Sequence, residues 1–487
     1  MRKLSIICMT ALLVTGCSNF LEEDMKGQIV GTASLSTVEG LDAALTGAYK
    51  GLANTWGTGF LHATAIGATM GGEDVTSHPA SNKQEFREFD QFAVSAGNSR
   101  TGNLYNGCYK AIQGANNIIN NYTMTVGDQT RINQIVGEAY FVRALSYYWL
   151  VRLYNSIPLL MSAEFSLELL TIDKAEAPKI YELIEADLKA AEGLLPDAKR
   201  DVGRPNVGSA KALLADVYLT EAGYPIKDAS KYAAAAAKAK EVIDNKDKYG
   251  FKLMDTFAET FANDPAIATL PEHVFQLSAF QGVGSTQNTN YGFSAMPGDI
   301  SGWDDYFPEI NFFLDFPAGP RKDKTFRTEF TLNDDDHTVI TWQNTQTKHP
   351  YYGKFWIKGD VGTYFSSLPM VMMRYAHVLT IYAEAKARSG GPDQLAYDGV
   401  NAIRERAGLL PLNGLSADDF AAAVVQERAW EFAGERTRWF DLVRLEMVEQ
   451  ANANKNANDL KPINAITKSD YFFPLPLSET LANPNLN

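Results

Sequence analysis

The chain has 487 residues, with 44 Lys and Arg set against 58 Asp and Glu, for a formal charge of -14. An acidic protein of this kind is excluded as a nucleic-acid binder, which needs a basic face, and is a poor match for anionic lipid headgroups. At this length a large core can be buried without covalent staples, and only three cysteines are present.

Met1-Arg2-Lys3 leads into an apolar run from Leu4 to Val14 and then Thr15-Gly16-Cys17. A basic start, a short apolar stretch and small residues before a cut site make a secretory signal. The run is shorter than the roughly 20 apolar residues that span a bilayer. Small residues followed by Cys resemble the bacterial lipobox, with Val14 in place of the usual Leu. The expectation is a signal peptide over 1–16, lipid on Cys17 and a lipidated linker over 17–36. Losing Arg2 and Lys3 with the signal takes the charge from -14 to -16. It leaves Cys108 as the one free thiol, so no internal disulfide forms; among Tyr105, Tyr109 and Ile112 it reads as a small buried apolar group. The linker carries Glu22, Glu23 and Asp24, which keep it off an anionic surface and read either as a solvated linker or as an export signal.

Residues 37–249 read as helical. Thr37 caps a segment whose Leu41, Leu45, Tyr49 and Leu52 recur at helical spacing. Residues 57–95, rich in Gly, Thr, His and Asn, form a long irregular segment of the kind that often carries function. Amphipathic helices follow over about 100–122, 131–155, 176–195, 205–222 and 228–245, the last with the run Ala233 to Ala237. Pro205 and Ser209 suit the start of the fourth of these helices, and Gly223 with Pro225 suits its stop. Alternation of small with bulky residues, as in Ala139, Arg143, Ala144, Tyr147 and again in Ala212, Leu213, Ala215, Tyr218, is similar to the tetratricopeptide pattern, in which each helix pair buries its face on the next. Generic bundle packing is the alternative.

Residues 250–370 break this texture. They are rich in Gly, Asn, Asp, Thr, Pro and aromatics, with short β-branched runs such as Thr338 to Trp342, and read as a loop-rich insertion with a few short strands. Helices resume over 371–487, at about 369–389, 393–406, 416–434 and 436–450, and Tyr471 to Pro476 reads as an extended aromatic strap. The expected fold is mostly α, with tetratricopeptide-like repeats interrupted by the insertion.

Several ordered motifs resemble the SusD/RagB family of Bacteroidetes nutrient-binding outer-membrane lipoproteins, nearly from end to end. They are Arg143-Ala144 to Val151 with Ile157-Pro158-Leu159, Gly203-Arg204-Pro205 with Ala210 to Ala215, Arg374-Tyr375-Ala376, Asn401 to Gly408, Glu427 to Arg436, Arg438 to Arg444, and Pro474-Leu475-Pro476. Asn155-Ser156 stand where the family usually has a small Gly. The resemblance implies a non-enzymatic surface protein that captures an oligosaccharide or polysaccharide and passes it to a partner TonB-dependent, SusC-like transporter. It also implies that the acids after Cys17 are an export signal to the outer face of the outer membrane. A helical-repeat protein-interaction scaffold without sugar binding is the competing reading.

The sequence carries no recognisable catalytic constellation. Its six His (His62, His78, His273, His337, His349, His377) are scattered, and there is no zinc motif, nucleophile elbow or phosphate loop. No cofactor or metal is expected; Asp334-Asp335-Asp336 reads as a calcium site or, more simply, a solvated turn. Glu427, Arg428, Glu431, Glu435, Arg436, Asp441 and Arg444 place opposite charges on adjacent helical turns and read as architecture, since acids paired with Arg stay ionised and a general acid does not. Sugar rings stack their C–H faces on aromatics while polar neighbours satisfy hydroxyls, so loop aromatics beside polar residues are the candidates. Trp303 comes first, with Asp304, Tyr306, Asn290 and Tyr291; Trp56 is second, with polar support from Asp74, His78, Asn82 and Arg87.

Overall fold

In a computed structural model the described residues are 31–53, 58–61, 64–79, 81–164, 166–280, 287–363 and 365–487. The signal peptide, Cys17, the acids that follow it and Trp56 lie outside them. The long helices are α1 (Val38–Leu52), α2 (Ser99–Asn121), α3 (Gln129–Tyr154), α4 (Ala177–Leu194), α5 (Val207–Glu221), α6 (Ser230–Asp244), α7 (Tyr375–Gly390), α8 (Gln394–Arg406) and α9 (Ala417–Glu431). Their starts follow from local chemistry. Thr37 accepts from Gly40 N at α1, and Asn206 with Ser209 forms a reciprocal cap at α5, directly after Pro205.

Each long helix from α1 to α6 packs on the next, as expected of repeats that bury a face only by stacking. Close approach needs small residues: a Cβ on Gly51 of α1 would stand 2.8 Å from the backbone of Ala111 in α2. Buried Arg143 of α3 pins three helices at once. It makes two bonds to Asp187 of α4 (2.8 and 2.7 Å) and one to Asn116 of α2 (2.8 Å). Cys108 is buried in this core, where burial pushes its thiol well up and leaves it inert.

The loop-rich stretch does not end the stack. Helix α7 packs against α6, the alanine-rich helix that precedes the insertion, and supports α8 and α9 on its other side. Two strands close the insertion at its base: β1 (His273–Leu277) pairs antiparallel with β4 (Met370–Arg374), with His273 opposite Arg374 and Leu277 opposite Met370. Between them β2 (Glu329–Thr331) and β3 (Val339–Thr341) form a hairpin. Asp334 to Asp336 make its exposed turn, where Asp334 caps Thr338 N at 2.8 Å. Among the described residues no cluster of His, Cys, Asp and Glu could hold a metal, and no helix is long and apolar enough to cross a membrane.

The carboxyl-terminal strap is extended and packed. Phe473 N donates to Leu153 O at 2.8 Å, and its ring meets Phe89 edge-on at 5.1 Å. Helix 436–450 of the expectation is two shorter pieces, Arg438–Arg444 and Val448–Ala451, because Glu446 takes a left-handed φ of 57°.

Candidate functional site

The insertion and the first long loop are laced together by backbone bonds. Thr76 and Phe307 exchange both of theirs (2.8 and 3.1 Å), and Thr289 N reaches Leu61 O (2.8 Å). Next to this seam the segment 301–305 doubles back on 293–297. Trp303 N bonds Phe293 O at 2.8 Å, Asp304 N bonds Met296 O and Asp305 N bonds Ser294 O, both at 3.2 Å. Gly302 is required there, since a Cβ would stand 2.1 Å from Met296 O.

The result is an open groove with about 480 Å³ of accessible space, lined by His78, Asn82, Lys83, Gly302, Trp303, Asp304 and Gln346. Four of the sequence candidates therefore meet, although more than 200 residues separate His78 from Trp303 in the chain. Trp303 is half-buried and stacks on Phe293, with ring centroids 5.9 Å apart and an interplanar angle of 26°. Asn82 is exposed and His78 half-buried. Asp304 is held by Gly298 N at 2.9 Å and by the Tyr351 hydroxyl. Burial raises its carboxyl, against these bonds; burial likewise lowers the His78 imidazole, against the pull of Asp304. Lys83 is anchored by an ion pair to Asp305.

Other candidates stand elsewhere, and their burial is the reason. Tyr306 is 1% exposed and gives its hydroxyl to Asn290 O at 2.5 Å. Asn290 is also buried and gives its amide to Phe60 O and Asn288 Oδ1, both at 3.0 Å. Both hold the loop seam rather than face the groove. Tyr291 stacks on Phe355 at 5.4 Å and lines a separate recess. Asp74 is buried and accepts from Gly434 N at 2.8 Å, its carboxyl pushed up to about 7 by burial. Arg87 is half-buried on the short helix Gln84–Asp90 and is not part of the groove. Trp356 is buried with its indole N–H on Ala295 O. Lys83 and Gln346 were not singled out from the sequence. Lys83 directly follows Asn82, but nothing local placed Gln346, which is held by Asp299 through its backbone N at 3.1 Å.

The acidic and basic residues of the carboxyl-terminal motifs form buried ion networks. Arg374 of β4 contacts Glu431 at 2.9 Å and Glu435 at 2.8 Å, and Arg406 contacts Glu272 at 2.7 Å and Glu431 at 2.6 Å. Arg428 grips Asp441 with two bonds (2.8 and 3.1 Å), and Arg444 grips Glu384 with two (2.7 and 2.6 Å). Burial alone raises Glu431, but Arg406, Arg374 and Arg321 outweigh it and hold the carboxyl down at about 2. Such acids stay ionised and tie the insertion base to α8 and α9; they do not offer a proton. Arg436 departs from the expected pairing, because no ion pair to it occurs among the described residues.

A stack of helical pairs carries a groove built where the first long loop meets the inserted segment, which defines a helical-repeat scaffold with loops grafted onto it. A profile of the SusD family matches residues 322–487, and one described as starch-binding associating with outer membrane matches residues 20–219. SusD-like protein P2 of Formosa agariphila is 29% identical over 100% of this chain and 99% of its own. The crystal structure of a SusD superfamily protein from Parabacteroides distasonis superposes with a TM-score of 0.78 at 26% identity, covering 92% of this chain and 98% of that one. Surface glycan-binding protein A from Bacteroides uniformis gives a TM-score of 0.76 at 22% identity, covering 92% and 98%. The chain is similar to SusD-type proteins along nearly its whole length.

Proposed function

We propose that this protein is a non-enzymatic, surface-exposed lipoprotein that binds an oligosaccharide or polysaccharide in the Trp303 groove and delivers it to a TonB-dependent transporter. The observation that carries this reading is the convergence of two distant loops on one half-exposed tryptophan flanked by His78, Asn82, Asp304 and Gln346. A flat aromatic supplies a stacking face for sugar C–H groups, and the surrounding amides, carboxylate and imidazole supply donors and acceptors for hydroxyls. The starch-binding description of one matching family and the glycan-binding name of one structural relative support the ligand class. The lipobox-like Thr15-Gly16-Cys17 and the acids behind it support anchoring at the outer membrane.

Affinity electrophoresis of the mature protein against a panel of soluble polysaccharides tests the reading. At least one glycan should retard it, and Trp303→Ala should weaken binding of that glycan by about tenfold or more, as for a central aromatic contact. Retardation by none of the panel, with stable association to another protein instead, overturns it in favour of the scaffold reading.

A further inference from the structure

The charges around the Trp303 groove narrow its ligand to one kind of glycan. Three ionisable side chains line it: His78, Lys83 and Asp304. Lys83 is buried and its ammonium is held by Asp305, so its charge is matched within the protein. Burial lowers the His78 imidazole, so the ring is neutral near pH 7 and carries one donor and one acceptor nitrogen. Asp304 is the charge left over, since it forms no ion pair among the described residues and is held only by Gly298 N and the Tyr351 hydroxyl.

The backbone fixes where that carboxylate sits. Ser301 (φ 70°) and Asp304 (φ 53°) take left-handed conformations on either side of Gly302-Trp303, a cost that recurs where function demands a geometry. The turn brings the Asp304 side chain back to Gly298, and both of its hydrogen bonds fall on Oδ1. Oδ2 receives none from any described residue. Gly298 leaves room beside it, because a Cβ there would stand 2.6 Å from Oδ2. A second acid, Asp299, accepts from Gln346 N at 3.1 Å and also lacks an ion pair among the described residues. Nearby cations do not offset the two acids at the groove. Arg100 pairs with Glu85 at 3.5 Å, and Arg87 and Lys348 stand outside the lining.

The groove therefore presents a carboxylate oxygen with unused lone pairs and no cation to spare. A sugar hydroxyl donates to such an oxygen, and its own oxygen accepts from the remaining N–H groups of Lys83 or from the Asn82 and Gln346 amides. A uronate or sulfate ester has only acceptors and brings a like charge to the same place. We propose that the groove selects neutral glycans over glycans bearing carboxylate or sulfate groups, and that Asp304 sets this selection by accepting hydroxyl hydrogens on Oδ2 and repelling a ligand anion. The selection rests on the glycan-binding reading above. The formal charge of -16 on the mature chain adds a longer-range repulsion of polyanions.

Matched derivatives test it. Each neutral polysaccharide that retards the mature chain is run beside its hydroxyethyl and carboxymethyl ethers at equal substitution, which are similar in size and differ in charge. The carboxymethyl ether should bind at least about tenfold more weakly than the hydroxyethyl ether at about 0.1 M salt. Asp304→Asn keeps an Oδ1 to accept from Gly298 N and Tyr351. It should weaken binding of the parent glycan about threefold or more and shrink the gap between the two ethers to about threefold or less. Equal binding of the two ethers, an unchanged gap in Asp304→Asn, or retardation by polygalacturonate or dextran sulfate as strong as by any neutral polymer overturns the selection while leaving glycan binding in place. Retardation by no polysaccharide overturns both.

Discussion

Arg374 shows how single residues in the family motifs do structural work. Its guanidinium reaches Glu272, Glu431 and Glu435 at once and is itself buried, so it joins the turn before β1, α9 and the turn after α9 at one point. Arg374→Ala leaves those carboxylates facing fewer cations in a dry interior. The expected cost is about 3–5 kcal/mol, read from urea denaturation. An exposed pair such as Lys240 with Asp244 is expected to cost less than about 1 kcal/mol by the same measurement. Asn155 follows α3 with a φ of 62° and a ψ of −62°, a γ-turn closed by Ser156 N on Tyr154 O at 2.7 Å.

At the scale of elements, the helical stack rests on small residues where backbones approach. Gly107 of α2 faces Gly51 of α1, and a Cβ on Gly107 would stand 2.7 Å from Gly59 N and 2.9 Å from Gly51 O. These are backbone atoms that cannot swing aside, so Gly107→Ala should cost about 1–3 kcal/mol despite the better helix propensity of Ala. A thermal-melt series that found Gly107→Ala as stable as wild type would contradict this packing. The helix boundaries were legible because caps and periodicity are local: the stretch expected at 205–222 is found at Val207–Glu221, and that expected at 393–406 at Gln394–Arg406. The short β1 was not singled out, because five consecutive buried residues carry no alternation, and its partner β4 lies about 100 residues away.

For the whole molecule, the buried networks set a pH limit. Glu431 is held at about 2, and Arg374 and Lys354 overcome burial to hold Glu435 well below the ordinary range, as Arg428 and Arg444 do for Asp441. The unfolded chain takes up these protons near pH 4 and the folded chain only well below it, so this stability is present above about pH 4 and is lost as pH falls toward 2. Burial holds His273 near 4 and His377 near 3, so their contribution is lost earlier, as pH falls from about 6.5 toward those values. Asp74, Glu138 and Glu221, raised by burial to about 7, act oppositely, but only above pH 4, where they gain stability by protonation as pH falls from 7. The urea midpoint should therefore change modestly from pH 7 to 5 and collapse between pH 4 and 2, with Glu431 alone contributing about 3 kcal/mol. The anchoring reading has its own outcome: Cys17→Ala should leave the membrane fraction, and retention at wild-type level would refute it.

Alone, the sequence determined the helices and the ionic motifs and pointed to the family resemblance, since these rest on period, composition and ordered local patterns. It also picked the loop residues His78, Asn82, Trp303 and Asp304, on the ground that aromatic and polar residues in glycine-flanked loops suit sugars. Only the tertiary structure decided that these four share one groove, because they are joined by backbone bonds between loops far apart in the chain. It alone removed Tyr306 and Asn290 to the interior, since burial is a property of packing that no local pattern encodes.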